Sequence, residues 1–100
     1  MKYEKYVKHV PGKRKGDVFL FALSTCGWCK KTKRLLNELG VDYSYVDVDL
    51  LEGEAMTEAE EEIERWNPSQ SFPILVINNA ECILGYREEE IREKLGSGEN

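Results

Sequence analysis

The first half of the chain alternates apolar segments with a helical pattern. Residues 18–23 form an uninterrupted apolar run, which is typical of a strand buried on both faces of a sheet. Apolar positions then repeat at helical spacing as far as Leu39, and Gly40 supplies a stop. Residues 43–48 alternate into a second strand. Two strands joined by a helix form a parallel, right-handed unit, so this half predicts an α/β fold.

The second half predicts a helix, a hairpin and a last helix. Thr57 and Glu60 have the spacing of a capping box at the start of the middle helix. Asn78-Asn79 joins two short apolar runs and favours a tight hairpin, because asparagine tolerates positive φ. The inward faces of the two helices would be formed by Ala55, Ala59, Ile63 and Trp66, and by Ile91 and Leu95.

The chain is expected to contain one domain, at residues 17–96, between an extension at 1–16 and a disordered tail at 97–100. In the extension, four apolar residues fall at i, i+3, i+4 and i+7, which favours a short amphipathic helix ended by Pro11-Gly12. These four are Tyr3, Tyr6, Val7 and Val10.

Length and composition narrow the class of protein. One hundred residues suffice for one modest core but not for two. No apolar run approaches the roughly 20 residues of a membrane span, and the N-terminus lacks the apolar stretch of a secretory signal. Three cysteines with one close pair do not make a secreted disulfide framework. These features predict a soluble cytoplasmic protein with no membrane partner.

The net charge of −5 conceals a division along the chain. Residues 1–34 contain ten Lys or Arg and two acidic residues, whereas residues 35–100 contain four and seventeen. The positive field of residues 30–34 would favour a nearby thiolate or an acidic partner. The basic run at residues 13–15 is short and typical of a solvated linker, so no binding of nucleic acid is expected.

Cys26 and Cys29 lie directly after the first predicted strand, where the first helix begins. Unpaired N–H groups and the positive end of the helix dipole favour the thiolate of a cysteine at this place. Cys26 is therefore the candidate nucleophile. Cys29 lies one turn deeper, close enough to form a disulfide with Cys26 and partly shielded by its helix, which suits a resolving thiol. In a reducing compartment such a pair is catalytic or binds a metal.

Four segments occur in the order found in one family of redox proteins. They are Cys26-Gly27-Trp28-Cys29, residues 40–49, Ser71-Phe72-Pro73-Ile74 and Gly85-Tyr86. On these segments, residues 17–95 resemble the glutaredoxins, which belong to the thioredoxin-fold superfamily. The resemblance implies an α/β, thioredoxin-like fold with a four-stranded mixed sheet and helices on both faces. It also implies a thiol–disulfide oxidoreductase that acts in cell redox homeostasis.

The resemblance assigns roles to residues around the two cysteines. It implies that the Phe72-Pro73 bond is cis and faces the cysteine pair, with the Phe72 backbone free to pair with an extended substrate segment. Trp28 replaces the more usual tyrosine; an exposed ring would contact the partner, and a core position is the alternative. The expected substrate-binding residues are Gly27, Trp28, Lys30, Phe72, Pro73, Gly85 and Tyr86.

Three positions depart from the glutathione-using pattern. Gly27 replaces the usual proline, Leu23 stands where a glutathione-binding lysine is common, and Gly85-Tyr86-Arg87-Glu88 replaces a Gly-Gly step followed by aspartates. The last segment is closer to glutaredoxin-like redoxins that take electrons from a thioredoxin reductase and serve ribonucleotide reductase. The expected partners are proteins with disulfides, and the expected electron source is glutathione or a thioredoxin reductase-type system. No tightly bound cofactor is expected, and the chain is predicted to be a monomer.

Two other uses of the cysteines stay open at this point. Some glutaredoxins resemble iron–sulfur cluster carriers that use the first cysteine with glutathione, although these usually lack the second cysteine. A zinc site could draw on Cys26, Cys29, Cys82 and His9, which have the right number of ligands. Against zinc, Cys82 lies in a predicted strand and suits a small buried hydrophobe, and His9 is expected at the surface of the extension.

Overall fold

The computed structural model describes residues 1–69 and 71–96, so the predicted tail at 97–100 lies outside the described residues. Its strands and helices in chain order are β1 (Lys8–Val10), β2 (Val18–Ala22), α1 (Gly27–Leu39), β3 (Tyr43–Asp47), α2 (Gly53–Trp66), β4 (Ile74–Ile77), β5 (Glu81–Leu84) and α3 (Glu88–Leu95). Short 3-10 turns form at Glu4–Tyr6 and Val48–Leu50. No helix in this described part of the chain is long and apolar enough to cross a membrane.

The strands form one mixed sheet in the order β1-β3-β2-β4-β5. β2 and β3, which α1 connects, are parallel, whereas β1, β4 and β5 each join antiparallel to their neighbour. Asn78 and Asn79 have φ of 56° and 53° in the turn between β4 and β5, as the hairpin prediction requires. The α/β class is confirmed, and the predicted count of four strands is one too few.

Successive side chains of a strand point to opposite faces, so the sheet divides the core in two. On one face Leu20 and Leu75 pack with Cys29 of α1 and with Ile91 of α3. On the other face the buried residues of β2, β3 and β4 pack against α2, whose inward residues include Ile63. Helices therefore cover both faces, and α1 runs along the first face with its N-terminus beside the end of β2.

The additional strand comes from the N-terminal extension, where the expected amphipathic helix is wrong. After the 3-10 turn at Glu4–Tyr6, β1 pairs antiparallel with the edge of β3 and places Val10 opposite Tyr43. An isolated helix of so few residues is marginal in water, whereas the edge of β3 offers ready backbone hydrogen bonds. Tyr3 is 4% exposed and packs edge to face on Phe21, which holds the start of the chain on the sheet.

The middle helix begins one turn earlier than the capping-box spacing predicted. It starts at Gly53, and the hydroxyl of Thr57 donates to the Gly53 carbonyl oxygen from inside the helix, at 3.4 Å. The earlier start brings Ala55, which is 7% exposed, into the helix, and this residue belongs to the predicted apolar face. Burial of that face outweighs the local preference of threonine for a cap.

We expect the protein to lose stability as the pH rises from about 9 towards 12. Burial raises the pKa of Tyr3, Tyr43 and Cys29 to about 12. The native state therefore holds protons that the unfolded chain has already released, and the free energy of unfolding falls with pH. Denaturant titrations followed by circular dichroism measure this slope. Tyr43→Phe should flatten it, and an unchanged slope would contradict the assignment.

Candidate active site

The turn between β2 and α1 places the sulfur of Cys26 at the first residue before the helix. Cys26 is the N-cap residue of α1, in extended conformation, and its Sγ accepts a hydrogen bond of 3.1 Å from the N–H of Cys29. The Lys30 N–H donates to the Cys26 carbonyl oxygen at 3.1 Å. An anionic sulfur is stabilised by this N–H group and by the helix dipole. The partly exposed Cys26 can also be reached from solvent.

Cys29 lies under the first turn of α1 and is fully buried. Its pKa is raised to about 12, first by burial and then by its hydrogen bond with the Cys26 side chain. Its thiol is therefore protonated at neutral pH, and both cysteines are free thiols in this structure. The two sulfurs thus differ in access, since one is partly exposed and the other is buried.

A carboxylate fixes the start of this turn. The Ser24 N–H donates to Asp49 at 2.8 Å, and the Ser24 hydroxyl donates to the second oxygen of the same carboxylate at 2.5 Å. These hydrogen bonds lower the pKa of Asp49 below its usual value. The sequence analysis missed this pair. The available signal was that β2 and β3 are parallel neighbours, so that the segments after them meet at one edge of the sheet.

The segment before β4 lies beside the same core. The Phe72-Pro73 bond is cis, as the resemblance implied, and the Pro73 carbonyl oxygen accepts a hydrogen bond of 2.8 Å from the Gly85 N–H. Phe72, Tyr86 and Cys26 are all partly buried and pack against the core that contains Cys29. Three distant segments of the sequence therefore meet around the cysteine pair.

An aromatic pair forms the exposed part of this surface. Trp28 is 55% exposed, so the core alternative for this residue is wrong. Its ring stacks on Tyr86, with centroids 5.8 Å apart and planes inclined by 24°. The Lys31 ammonium lies 4.9 Å from the centroid of the Trp28 ring, a contact that the sequence analysis missed. Lys30 is exposed on the first turn of α1.

Gly27 and Gly85, the two glycines among the predicted substrate-binding residues, differ in how well they would tolerate a side chain. A Cβ on Gly27 would meet nothing within 4 Å, so this position is open next to the sulfur of Cys26. Gly85 has φ of 83°, a conformation that L-residues rarely adopt, and it leads from β5 towards α3. Leu23 packs against the core on the α2 face, so the place of the common glutathione-binding lysine is apolar here.

The zinc alternative is not favoured by the placement of its ligands. Cys82 packs on the α2 face of the sheet, where its Sγ lies 3.9 Å from the Trp66 carbonyl oxygen, whereas Cys29 is buried on the opposite face. His9 lies on the edge strand β1, where its Nε2 is 2.9 Å from an oxygen of Asp42. Within residues 1–69 and 71–96, no three His, Cys, Asp or Glu side chains converge as metal ligands would.

Comparison with known proteins agrees with this geometry. Residues 18–82 match the family model for glutaredoxin. The glutaredoxin of Methanosarcina mazei Go1 is 55% identical, with a TM-score of 0.84 over 91% of this chain and 88% of that one. Methanoredoxin of Methanosarcina acetivorans is 50% identical, with a TM-score of 0.81 over 85% of this chain and 90% of that one.

One curated relative is longer. Glutathione S-transferase 1 of Dianthus caryophyllus is 33% identical over 85 residues, which are 80% of this chain. The chain spans 36% of the length of that transferase, so the similarity covers one part of it. The glutaredoxin model, in contrast, matches more than half of this chain and includes both active-site cysteines. The chain therefore belongs to the glutaredoxin family of thiol–disulfide oxidoreductases.

Proposed function

We propose that the chain reduces disulfides of proteins through a cycle in which Cys26 attacks and Cys29 resolves. The proposal rests on one observation: the Cys26 sulfur is partly exposed at a helix N-terminus and accepts the Cys29 N–H, while the Cys29 sulfur is buried. The Cys26 thiolate attacks one sulfur of the substrate, forms a mixed disulfide and expels the first substrate thiolate. Cys29 then attacks Cys26, which releases the second thiolate and leaves an intramolecular disulfide.

The substrate is proposed to lie as an extended segment against Phe72. This residue precedes β4, whose pairing with β2 and β5 begins at Ile74, and it packs beside the core of the cysteine pair. A substrate strand could form backbone hydrogen bonds there. The rings of Trp28 and Tyr86, with Lys30 nearby on α1, would contact its side chains. The proposed substrates are disulfides of proteins such as ribonucleotide reductase, in a reducing compartment such as the cytoplasm.

As the electron donor we propose a thioredoxin reductase-type dithiol system. Leu23 is packed on the core and provides no cation for a glutathione carboxylate. Arg87 and Glu88 replace the usual aspartates after Gly85, and the ring of the intervening Tyr86 stacks on Trp28. The main alternative donor is glutathione. The relative from Dianthus caryophyllus is named a glutathione S-transferase, so a protein of related sequence is associated with glutathione.

We expect the oxidised protein to be reduced at least about tenfold faster by NADPH with thioredoxin reductase than by NADPH with glutathione and glutathione reductase. The measurement is the consumption of NADPH at equal protein concentration. Leu23→Lys supplies the missing cation. It should therefore accelerate reduction by glutathione and leave reduction by thioredoxin reductase unchanged. Faster reduction of the unaltered protein by glutathione would disprove the proposed donor but not the dithiol cycle.

A further inference from the structure

A lysine lies one helical turn beyond Cys29, in a place that the exchange reaction described so far does not use. The side chain of Lys33 is 20% exposed, and its Nζ lies 3.1 Å from an oxygen of Asp47, whose side chain is 13% exposed. The same ammonium lies 4.1 Å from the ring centroid of Tyr45. A cation held this far from water interacts more strongly with nearby charges than a surface lysine does.

The sheet explains why these groups meet. On β3, Tyr43, Tyr45 and Asp47 alternate onto the face that α1 covers, and Asp47 is paired in register with Ala22 at the end of β2. After Ala22 the chain leaves β2 and enters the segment that contains Cys26. Lys33 is therefore held by β3 on the face of the sheet that α1 covers, four residues after the buried Cys29 on the same helix.

The charges around Cys29 change during the reaction. In the reduced protein, burial and the hydrogen bond with Cys26 raise the pKa of Cys29, while Lys33 lowers it. A mixed disulfide on Cys26 leaves no thiolate at that sulfur, and Lys33 stays in place. The other titratable groups that pack on this face are Tyr43, Tyr45, Asp47 and Tyr86, and the remaining core residues from β2, β4, β5 and α3 are apolar.

We propose that Lys33 is a positioning residue for the second half of the dithiol cycle, and this proposal rests on that cycle. Lys33 stabilises the Cys29 thiolate in the mixed disulfide. In that half the Cys29 thiol loses its proton to solvent. Its thiolate attacks Cys26 Sγ, so that the Cys26–Cys29 bond forms and the bond from Cys26 to the substrate sulfur breaks. The substrate leaves as a thiolate and takes up a proton, and no other reductant is needed. Asp47 holds the ammonium in position.

A single-turnover reaction with the aromatic disulfide dithiobis(nitrobenzoate) separates the two halves. Attack by Cys26 releases one coloured thiolate, and resolution by Cys29 releases the second. All variants carry Cys82→Ala so that the third thiol does not contribute. Lys33→Gln keeps a polar side chain for Asp47 without the charge. We expect the second release at pH 7 to slow about tenfold while the first stays within about twofold.

Three further measurements distinguish an electrostatic role from a structural one. Lys33→Arg should restore the second release, and Arg34→Met, which removes an exposed charge from the same helix, should leave both releases unchanged. The second release of Lys33→Gln should recover as the pH rises, because ionisation of Cys29 then needs less assistance. Lys33→Gln combined with Asp47→Asn removes the whole ion pair and should be as slow as Lys33→Gln.

A second release in Lys33→Gln as fast as in Arg34→Met would overturn the role of Lys33. Equal slowing of both releases, or no rescue by arginine, would overturn it too, because a general structural effect would then explain the loss. Failure of the dithiol cycle itself gives a different result: the first release would persist when Cys26 is replaced by serine.

Discussion

Replacement of Cys26 by serine should lower the rate of protein disulfide reduction at least about a thousandfold. A serine hydroxyl is not ionised at neutral pH, so the helix N-terminus would then stabilise no nucleophile. Cys29 cannot substitute, because it is fully buried and burial raises its pKa to about 12. The measurement is kcat/KM for a peptide whose disulfide quenches a fluorophore, with the reductase system in excess.

The matched control for this variant is Cys82→Ser, which replaces a cysteine on the opposite face of the sheet. It should keep near-normal activity, because Cys82 packs against the core under α2, on the face of the sheet opposite Cys29. Circular dichroism should show that both variants are folded. Residual activity of the Cys26 variant above about one tenth would mean that another thiol attacks the substrate, and the assignment of Cys26 would fail.

The elements that the sequence predicted well are those determined by local patterns. The unbroken apolar run of β2, the periodicity of α1 and the Asn78-Asn79 turn each specify their structure within a few residues. The strand β1 could not be recognised in this way, because the four apolar residues of the extension, of which only Val10 lies in β1, fit helical spacing. Its conformation depends on the free edge of β3, more than thirty residues away in the chain.

The site shows the same division between local and long-range information. Cys26, Cys29 and the cis Phe72-Pro73 bond followed from short motifs and from a family resemblance. The hydrogen bond between Ser24 and Asp49 and the ion pair of Lys33 with Asp47 could not be predicted in this way. Both depend on the register of β2 against β3. Asp47 and Asp49 stand in a stretch with alternating acidic residues, and only the fold shows that each has a separate basic or polar partner.

Replacement of Cys29 by serine should trap the protein on its substrate. The Cys26 sulfur keeps its exposure and still accepts the N–H of residue 29, since that bond comes from the backbone. The first attack should therefore proceed, while resolution is lost and turnover on a protein disulfide falls about a hundredfold. Mass spectrometry without reductant should show one equivalent of substrate bound through Cys26.

The double variant Cys26→Ser/Cys29→Ser is the control for this adduct and should capture nothing. A conjugate that forms in Cys26→Ser but not in Cys29→Ser would show that the roles of the two thiols are reversed. That outcome would require Cys29 to leave the core, where its side chain is fully buried. We therefore expect the position of each sulfur relative to the first turn of α1 to determine which thiol attacks and which one releases the product.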